Sequence, residues 1–399
     1  MQCVRKVTED LYWVGANDKR LALFENVHPL PNGTSYNSYL LMDEKTVLFD
    51  TVDWSVCRQF LENLDYVLDG RSLDYLVVNH MEPDHGSSIN EIMLRHPDVK
   101  VITTKKASVM MEQFGFNTAN VQTVAEGEKI SFGKHEVTFV MAPMVHWPEV
   151  MVTFDTTNGV LFSADAFGSF GSLDGKLFAD EVNYDVDWIL EARRYYTNIV
   201  GKFGPQVQKL LGKASGLDIK YICPLHGLVW RKDFGYFIEK YDKWSKYEPE
   251  EKGIMIAYAS MYGSTESAAN ILAAKLCERG MTNITMYDVS KTHVSYLIAD
   301  AFKYSHMALF SVTYNLKVFP PMQAVVEDMA ALNLQNRKAV VVENGTWAPQ
   351  ACKLIREQFA AMKNMTVLNE PTTITSSLCE TSYCQICELA DLIIKSMNE

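Results

Sequence analysis

Short apolar runs recur along the chain, and each empties into a loop of polar, chemistry-bearing residues. Leu73-Asp74-Tyr75-Leu76-Val77-Val78 leads into His80-Met81-Glu82-Pro83-Asp84-His85-Gly86, Val137 to Val145 precedes His146, Gly159 to Ser163 precedes Asp165, and Ile219 to Cys223 precedes His226. Runs this short, bounded by polar residues, predict buried strands. Strand ends are where a sheet presents side chains to a site, because rigid backbone fixes the donors while the loop stays open to substrate. Any one of these residues alone reads as part of a solvated turn. Four strand ends together supply one candidate metal cluster: His80, Glu82, Asp84, His85, His146, Asp165 and His226.

The pattern repeats in the second half. Gly253 to Ala259 predicts a buried strand, Ser260-Met261-Tyr262-Gly263-Ser264-Thr265 a loop, and Glu266 to Arg279 a helix ended by Gly280. A hydroxyl-rich loop feeding a helix start suits phosphate, since backbone N–H groups and the positive end of the helix dipole favour an anion. No lysine follows the glycine, which argues against a nucleoside-triphosphate loop, and there is no Gly-x-Gly-x-x-Gly for a dinucleotide. What remains is a phosphate monoester held by neutral donors. Two more predicted strands, Ala308 to Val312 and Ala339 to Val342, lead into Thr313-Tyr314-Asn315 and Glu343-Asn344-Gly345-Thr346-Trp347. In a doubly wound sheet such loops meet at one crevice, where Tyr314 and Trp347 are aromatic enough to cover a ring face.

The donor set exceeds what one tetrahedral zinc needs and suits two metal ions sharing a carboxylate bridge. His-x-Glu-x-Asp-His followed by a distant His, Asp and His resembles the flavodiiron proteins, whose metal domain has the metallo-β-lactamase fold. Hydrolase relatives of that fold carry His-x-His-x-Asp-His and hold zinc. Glu82 replaces the second histidine here, and an added hard oxygen donor makes the site more anionic and favours iron. The resemblance assigns His80, Glu82 and His146 to one iron, Asp84 and His226 to the other, Asp165 to the bridge, and counts His85 among the ligands. His96, His135, His293 and His306 are expected at the surface or in packing roles. The Ser260–Thr265 segment resembles flavodoxins, which implies FMN with its isoalloxazine between the later two loops, flanked by Asn344, Gly345 and Thr346.

The expected fold class is therefore α/β. A metallo-β-lactamase-like αββα sandwich over residues 1–248 carries the di-iron site, and a five-stranded, flavodoxin-like doubly wound parallel sheet over 253–399 binds FMN. Length agrees: 399 residues, 48% of them apolar, can bury two cores. Tyr247-Glu248-Pro249-Glu250-Glu251-Lys252-Gly253 reads as the joint, charged and proline-bearing. No internal repeat or low-complexity segment is evident. Asp187 to Lys213 predicts helix, with Tyr195 approaching the metal pocket by resemblance and packing as its simpler role.

Charge and cysteine content narrow the partners. A net charge of −12, without basic stretches interleaved with aromatics, speaks against nucleic acid. An acidic electron carrier would need a local basic patch to dock. The start, Met1-Gln2-Cys3-Val4-Arg5-Lys6, lacks an apolar core for a signal peptide, and no segment reads as a membrane span. Eight cysteines in no regular framework suggest reduced thiols and a cytoplasmic location. Cys379, Cys384 and Cys387 have part of an iron–sulfur spacing, with Cys352 the available fourth ligand, but they fall where the second domain needs its last helix.

By resemblance, which covers essentially the whole chain, the activity is reduction of dioxygen to water, nitric oxide to nitrous oxide, or both. Two ferrous ions and one reduced FMN hold the four electrons that dioxygen requires. No paired Cys-x2-Cys motifs follow the second domain, so a fused rubredoxin module is not expected. The donor is then a separate rubredoxin or a reduced deazaflavin. Twofold symmetry in a head-to-tail homodimer, or a dimer of such dimers, would bring each flavin over its mate's metal pocket. Two other classes explain part of the chain: a zinc-dependent hydrolase fused to a flavodoxin-like domain leaves the flavin domain without purpose, and an electron-carrier flavoprotein leaves the seven ligand positions unexplained.

Overall fold

The computed structural model describes residues 2–399. The chain divides into two compact units, one ending at Asp242 and the other beginning at Lys243. In the first, Arg5–Lys6, Leu11–Trp13, Tyr39–Met42, Thr46–Phe49, Tyr75–Val77, Lys100–Thr103 and Val121–Thr123 lie side by side in that order. The pairings are antiparallel up to Thr46–Phe49 and parallel from there on. A second sheet holds Lys129–Ser131, Glu136–Met141, Met151–Asp155, Val160–Phe162 and Tyr221–Cys223, with only the last pair parallel.

Aromatic side chains join the two sheets. Phe49 stacks on Phe162 with ring centroids 3.7 Å apart, and Tyr75 meets Phe132 at 5.1 Å. Outside the first sheet, the helix Cys57–Leu68 buries Phe60, Leu61, Leu64 and Leu68, one helical stripe, against it. The strands on which the candidate ligands depend are shorter than their apolar runs. Pro143 has no N–H for the ladder, so the run from Val137 leaves the sheet at Met141 and turns before His146, with Met144 N–H donating to Trp147 O at 2.7 Å. Pro83 opens a one-turn helix, Pro83–Gly86, so Asp84 and His85 stand on a helical turn and not in an open loop.

The predicted helix from Asp187 to Lys213 is broken. Ile189–Tyr195 passes into a wider π-helical turn, Tyr196–Val200, then a short turn at Gly201–Phe203, and restarts as Gly204–Ala214 with Pro205 in its first turn. Glycines at the breaks and a proline that fits only a helix start explain the segmentation.

The second unit is doubly wound. Ile284–Asp288, Glu251–Ala259, Tyr304–Tyr314 and Lys338–Asn344 run parallel in that order, with Thr366–Val367 and Thr372–Ile374 beyond. The fifth position is thus split, and Lys317–Val318 adds a short antiparallel return, so the sheet counts seven strands where five are expected. Pro371 lies in the gap. There the Asn369 side chain accepts from Val341 N–H at 3.0 Å and donates to Val341 O at 2.9 Å, replacing the missing ladder bonds.

Alternation along Ile254-Met255-Ile256-Ala257 sends residues to opposite faces. Met255 and Ala257 join Leu297, Ile298, Met322, Val325 and Ile355, while Ile254 and Ile256 join Leu272, Leu276, Ile386 and Ile393. The strand already includes Glu251 and Lys252, which shortens the charged joint.

Arg337 fastens this unit. Its fully buried guanidinium donates to the carbonyls of Ala301 (2.8 Å), Phe302 (2.6 Å), Tyr247 (2.7 Å) and Gln335 (2.8 Å), and burial pulls its pKa down to about 9. Leucine at this position would strand those carbonyls. Arg337→Leu is expected to lower the stability of the second unit by about 3–5 kcal/mol. Chemical denaturation followed by tryptophan fluorescence measures this, and an unchanged midpoint would contradict it.

Candidate metal centre and flavin pocket

The seven candidate ligands converge in two groups. His80, Glu82, His146 and Asp165 form one, and Asp84, His85 and His226 the other, each group offering ligand atoms within 4.8 Å of one another. Asp165 joins them. Its Oδ2 lies 3.0 Å from His146 Nε2 and 3.3 Å from His80 Nε2, while its Oδ1 lies 3.4 Å from His85 Nε2 and 3.8 Å from His226 Nε2. Glu82 Oε2 is 3.2 and 3.1 Å from the Nε2 atoms of His80 and His146, and Asp84 Oδ2 is 3.2 and 3.1 Å from those of His85 and His226.

All four imidazoles therefore turn Nε2 inward. Both Asp84 oxygens and Asp165 Oδ1 are buried without a well-formed hydrogen bond among the described residues, although imidazole nitrogens lie close by. Atoms crowded around shared central points have this geometry, and an oxygen-rich set with imidazoles fits a pair of iron ions.

Partners behind the ligands fix their tautomers. His80 Nδ1 pairs with Glu149 Oε1 at 2.8 Å, an oxygen that also accepts Met81 N–H at 2.9 Å, and His226 Nδ1 donates to Ser35 O at 2.7 Å. Asp50 accepts Asn79 N–H at 2.7 Å and holds the start of the ligand loop. Glu25, at the tip of the hairpin Leu23–Phe24/His28–Pro29, reaches Glu82. Burial and the Glu82 charge raise its pKa to about 8. Sequence reasoning misses Glu149, Ser35, Asp50 and Glu25. Only Glu149, three residues after His146, carries a local signal. Tyr195 is fully buried, its ring 5.4 Å from that of His226.

The histidines set aside stay outside. His135 is buried between Asp10 (2.8 Å) and Asp155 (2.9 Å), and His306 is buried against Ser396. All eight cysteines are free. Cys379, Cys384 and Cys387 lie at the start of the helix Glu380–Asn398 while Cys352 is buried on another helix, and among the described residues no cysteine joins a set of three or more converging ligands.

In the second unit, a cavity of about 360 Å³ is lined by Ser260, Met261, Tyr262, Ser264, Thr265, Thr313, Asn315, Asn344, Gly345, Thr346 and Trp347. Val312, Leu316 and Ser376 complete the wall. The helix starts at Ser264, two residues earlier than expected, after Gly263 with φ +96°, and Ser260 Oγ accepts Gly263 N–H at 3.1 Å. No lysine or arginine lines the cavity, as neutral recognition of phosphate requires.

Two expected residues also make other contacts. Tyr314 is absent from the wall because its strand runs on into a hairpin with Lys317, and its ring packs on Phe319 at 5.8 Å. Thr313 lines the cavity, and its hydroxyl also accepts Gln350 and Ala351 N–H at 2.9 and 3.1 Å, capping the helix Ala351–Ala360. Ser376, whose hydroxyl donates to Thr346 at 3.0 Å, follows the last strand end and was open to the strand-end rule.

Fold and site together define an α/β oxidoreductase in which a β-lactamase-like unit precedes a flavodoxin-like one. Residues 34–227 match the family described as ODP family beta lactamase. The chain is 33% identical over 362 residues to a nitric oxide reductase of Moorella thermoacetica, 90% of each chain, and 32% identical over 349 residues to an anaerobic nitric oxide reductase flavorubredoxin of Vibrio vulnificus, 86% of this chain and 70% of that one. Among solved structures it superposes on the rubredoxin oxygen:oxidoreductase of Desulfovibrio gigas with TM-score 0.92 at 28% identity, and on the flavodiiron protein of Giardia intestinalis with TM-score 0.93 at 26% identity. Both alignments cover 99% of this chain and 98% of the other. The chain belongs to the flavodiiron protein family. Among the described residues no helix is long and apolar enough to cross a membrane.

Protons compete with metal here. Burial disfavours the imidazolium form, but Asp84 and Asp165 overcome it at His85 and raise its pKa to about 10, while Asp165 and Glu82 raise His146 to about 9. Both lie above the ordinary 6.5, so their charged forms stabilise the metal-free fold fully below that pH, and the contribution is lost as pH rises through 9 to 10. Metal binding at pH 7 should release protons. The expected results are a falling melting temperature of metal-free protein from pH 6.5 to 10 and acidification of unbuffered protein on adding ferrous iron. A flat melting profile with no acidification would refute the coupling.

Proposed function

We propose that this chain reduces dioxygen to water, nitric oxide to nitrous oxide, or both, at a non-haem di-iron site supplied with electrons through FMN. The observation that carries the reading is the Asp165 carboxylate, with one oxygen in each ligand group. The second support is a neutral, phosphate-suited cavity at strand ends of the other unit. Relatives named nitric oxide reductase and rubredoxin oxygen:oxidoreductase agree with it. When bound, two ferrous ions and one reduced FMN supply four electrons, the number that takes dioxygen to two waters.

The residues have defined tasks in this reading. His80, Glu82 and His146 hold one iron, Asp84, His85 and His226 the other, and Asp165 keeps the two adjacent. Glu149 and the Ser35 carbonyl orient His80 and His226. In the second unit, Ser260, Ser264, Thr265 and the first N–H groups of the helix hold the FMN phosphate, Asn344 to Thr346 border the flavin, and Trp347, with 78% of its surface exposed, is available to cover a ring face. The di-iron domain is assigned to 1–248 and the FMN domain to 253–399. An external rubredoxin or a reduced deazaflavin serves as donor, and the eight cysteines in no regular framework support a cytoplasmic location.

Assembly as a head-to-tail homodimer belongs to the same reading, with electrons passing from the flavin of one chain to the iron pair of its mate. Mixing a His146→Ala chain with one whose Ser260–Thr265 loop is disrupted, under conditions of subunit exchange, should restore partial activity. Inactive heterodimers that keep their remaining cofactors would exclude transfer between chains.

Anaerobic stopped-flow mixing of the reduced protein with each gas tests the central activity. Asp165→Ala is expected to lose iron and gas reduction while keeping the flavin, and full activity in that variant would sink the assignment. Thr265→Val removes one hydroxyl donor and should weaken FMN by about 1–2 kcal/mol, roughly tenfold in Kd. Fluorescence titration reads the change, and unaltered FMN affinity or release of FAD from the denatured protein would contradict it.

A further inference from the structure

Behind the metal ligands, aromatic side chains extend in closely spaced steps to the surface of the first unit. Tyr195 lies against His226, and its chain neighbour Tyr196 meets Tyr241 with ring centroids 4.9 Å apart. Tyr241 also packs on Phe167, two residues past Asp165, at 4.5 Å, and accepts the Phe167 N–H at 2.6 Å. Phe237 stands between Tyr241, at 5.3 Å, and Trp230, stacked at 4.6 Å. Trp230 in turn reaches Tyr236 at 6.3 Å. Tyr195, Tyr196, Tyr241 and Trp230 are buried, whereas Tyr236 is partly exposed and its hydroxyl donates to Asp185.

Packing alone does not call for these residue types. Phenylalanine fills the volume of tyrosine without desolvating a hydroxyl. Yet the Tyr195 hydroxyl and the Trp230 indole N–H are buried with no hydrogen-bond partner among the described residues, an arrangement that disfavours folding unless it serves another purpose. Phenol and indole rings lose an electron far more readily than a benzene ring does. A series of them, interrupted by one phenylalanine, from the metal pocket to a surface tyrosine with its own proton acceptor suits one-electron transfer.

We propose that Tyr195, Tyr196, Tyr241, Trp230 and Tyr236 form an escape route that carries oxidising equivalents away from the metal pocket when the flavin cannot deliver electrons. The proposal rests on the di-iron reading. A ferrous pair without reduced flavin would supply only two of the four electrons that dioxygen requires, leaving the pocket oxidising and short of two electrons. Along the line, one electron moves inward from Tyr236 through Trp230, past Phe237, and on through Tyr241, Tyr196 and Tyr195 to the pocket. The phenolic O–H of Tyr236 breaks, its proton passes to the Asp185 carboxylate, and a neutral tyrosyl radical remains. A one-electron reductant in solvent, such as ascorbate or a small thiol, returns it to tyrosine. Two such passages supply both missing electrons, the protons that oxygen takes up on its way to water come from solvent, and the ligands are spared.

The test uses full-length protein loaded with ferrous iron, its flavin left oxidised, mixed with dioxygen. Iron oxidation is followed by absorbance, radicals by freeze-quench electron paramagnetic resonance, and oxidised side chains by peptide mass spectrometry. The expected result is a tyrosyl or tryptophanyl signal with oxidation at Trp230 and Tyr236. Trp230→Phe should lower Tyr236 oxidation several-fold and raise oxidation at Tyr195 and His226. The surface variant Tyr236→Phe, which leaves the core intact, should shift the marks to Trp230. Nitric oxide, which needs only two electrons per nitrous oxide, should leave neither radical nor marks. Iron oxidation with damage confined to the pocket, unchanged Tyr236 oxidation in Trp230→Phe, or equal marks in metal-free protein would overturn the route while the di-iron reading stands. Failure of dioxygen to oxidise the iron would overturn both.

Discussion

Every element of the first unit answers to one constraint: the Asp165 carboxylate has to stay ionised in a fully enclosed place, between four imidazoles and two more carboxylates. Burial of a carboxylate opposes its charge by several kcal/mol, and the surrounding imidazoles reverse that, holding its pKa well below the usual range. Such a cluster persists only if the scaffold prevents its members from turning toward water. Two sheets joined through Phe49 and Phe162 provide that rigidity, because the ligands stand on turns at strand ends and their outer nitrogens are tied to Glu149 and the Ser35 carbonyl.

The flavodoxin-like unit solves the opposite electrostatic problem. Its cavity offers hydroxyls, amides and a helix start, with no cation, so it suits an anion without presenting a fixed charge of its own. The buried cation of that unit, Arg337, is spent on backbone carbonyls at the amino-terminal ends of the strands, away from the cavity at their carboxyl ends. Charge is thus concentrated in one unit's site and kept out of the other's.

The legibility of these sites from sequence follows the same division. Ligands such as His80, Glu82 and Asp84 announce themselves because metal chemistry needs particular side chains at short spacing after a strand. Asp50 and Glu25 do not, since their roles arise from contacts made only once the chain has folded. Thr313 shows the converse problem: its hydroxyl suits a phosphate loop equally well, and only the fold shows it capping a helix. Likewise the run from Val137 to Val145 is apolar throughout, but Pro143 ends the strand early and frees the turn that carries His146. The split fifth strand is hidden for a related reason, as an asparagine side chain imitates backbone where the chain departs from the sheet.

That imitation at Asn369 has a bearing on solubility. Thr366–Val367 and Thr372–Ile374 occupy the margin of the sheet, the place where an intact strand would offer a straight row of free N–H and C=O groups to a neighbouring molecule. Because the strand is cut into two short pieces around Pro371, its outer side presents no continuous template. The Asn369 amide keeps the inner side bonded while the outer side stays irregular, so the chain guards against strand-by-strand polymerisation without giving up its own register.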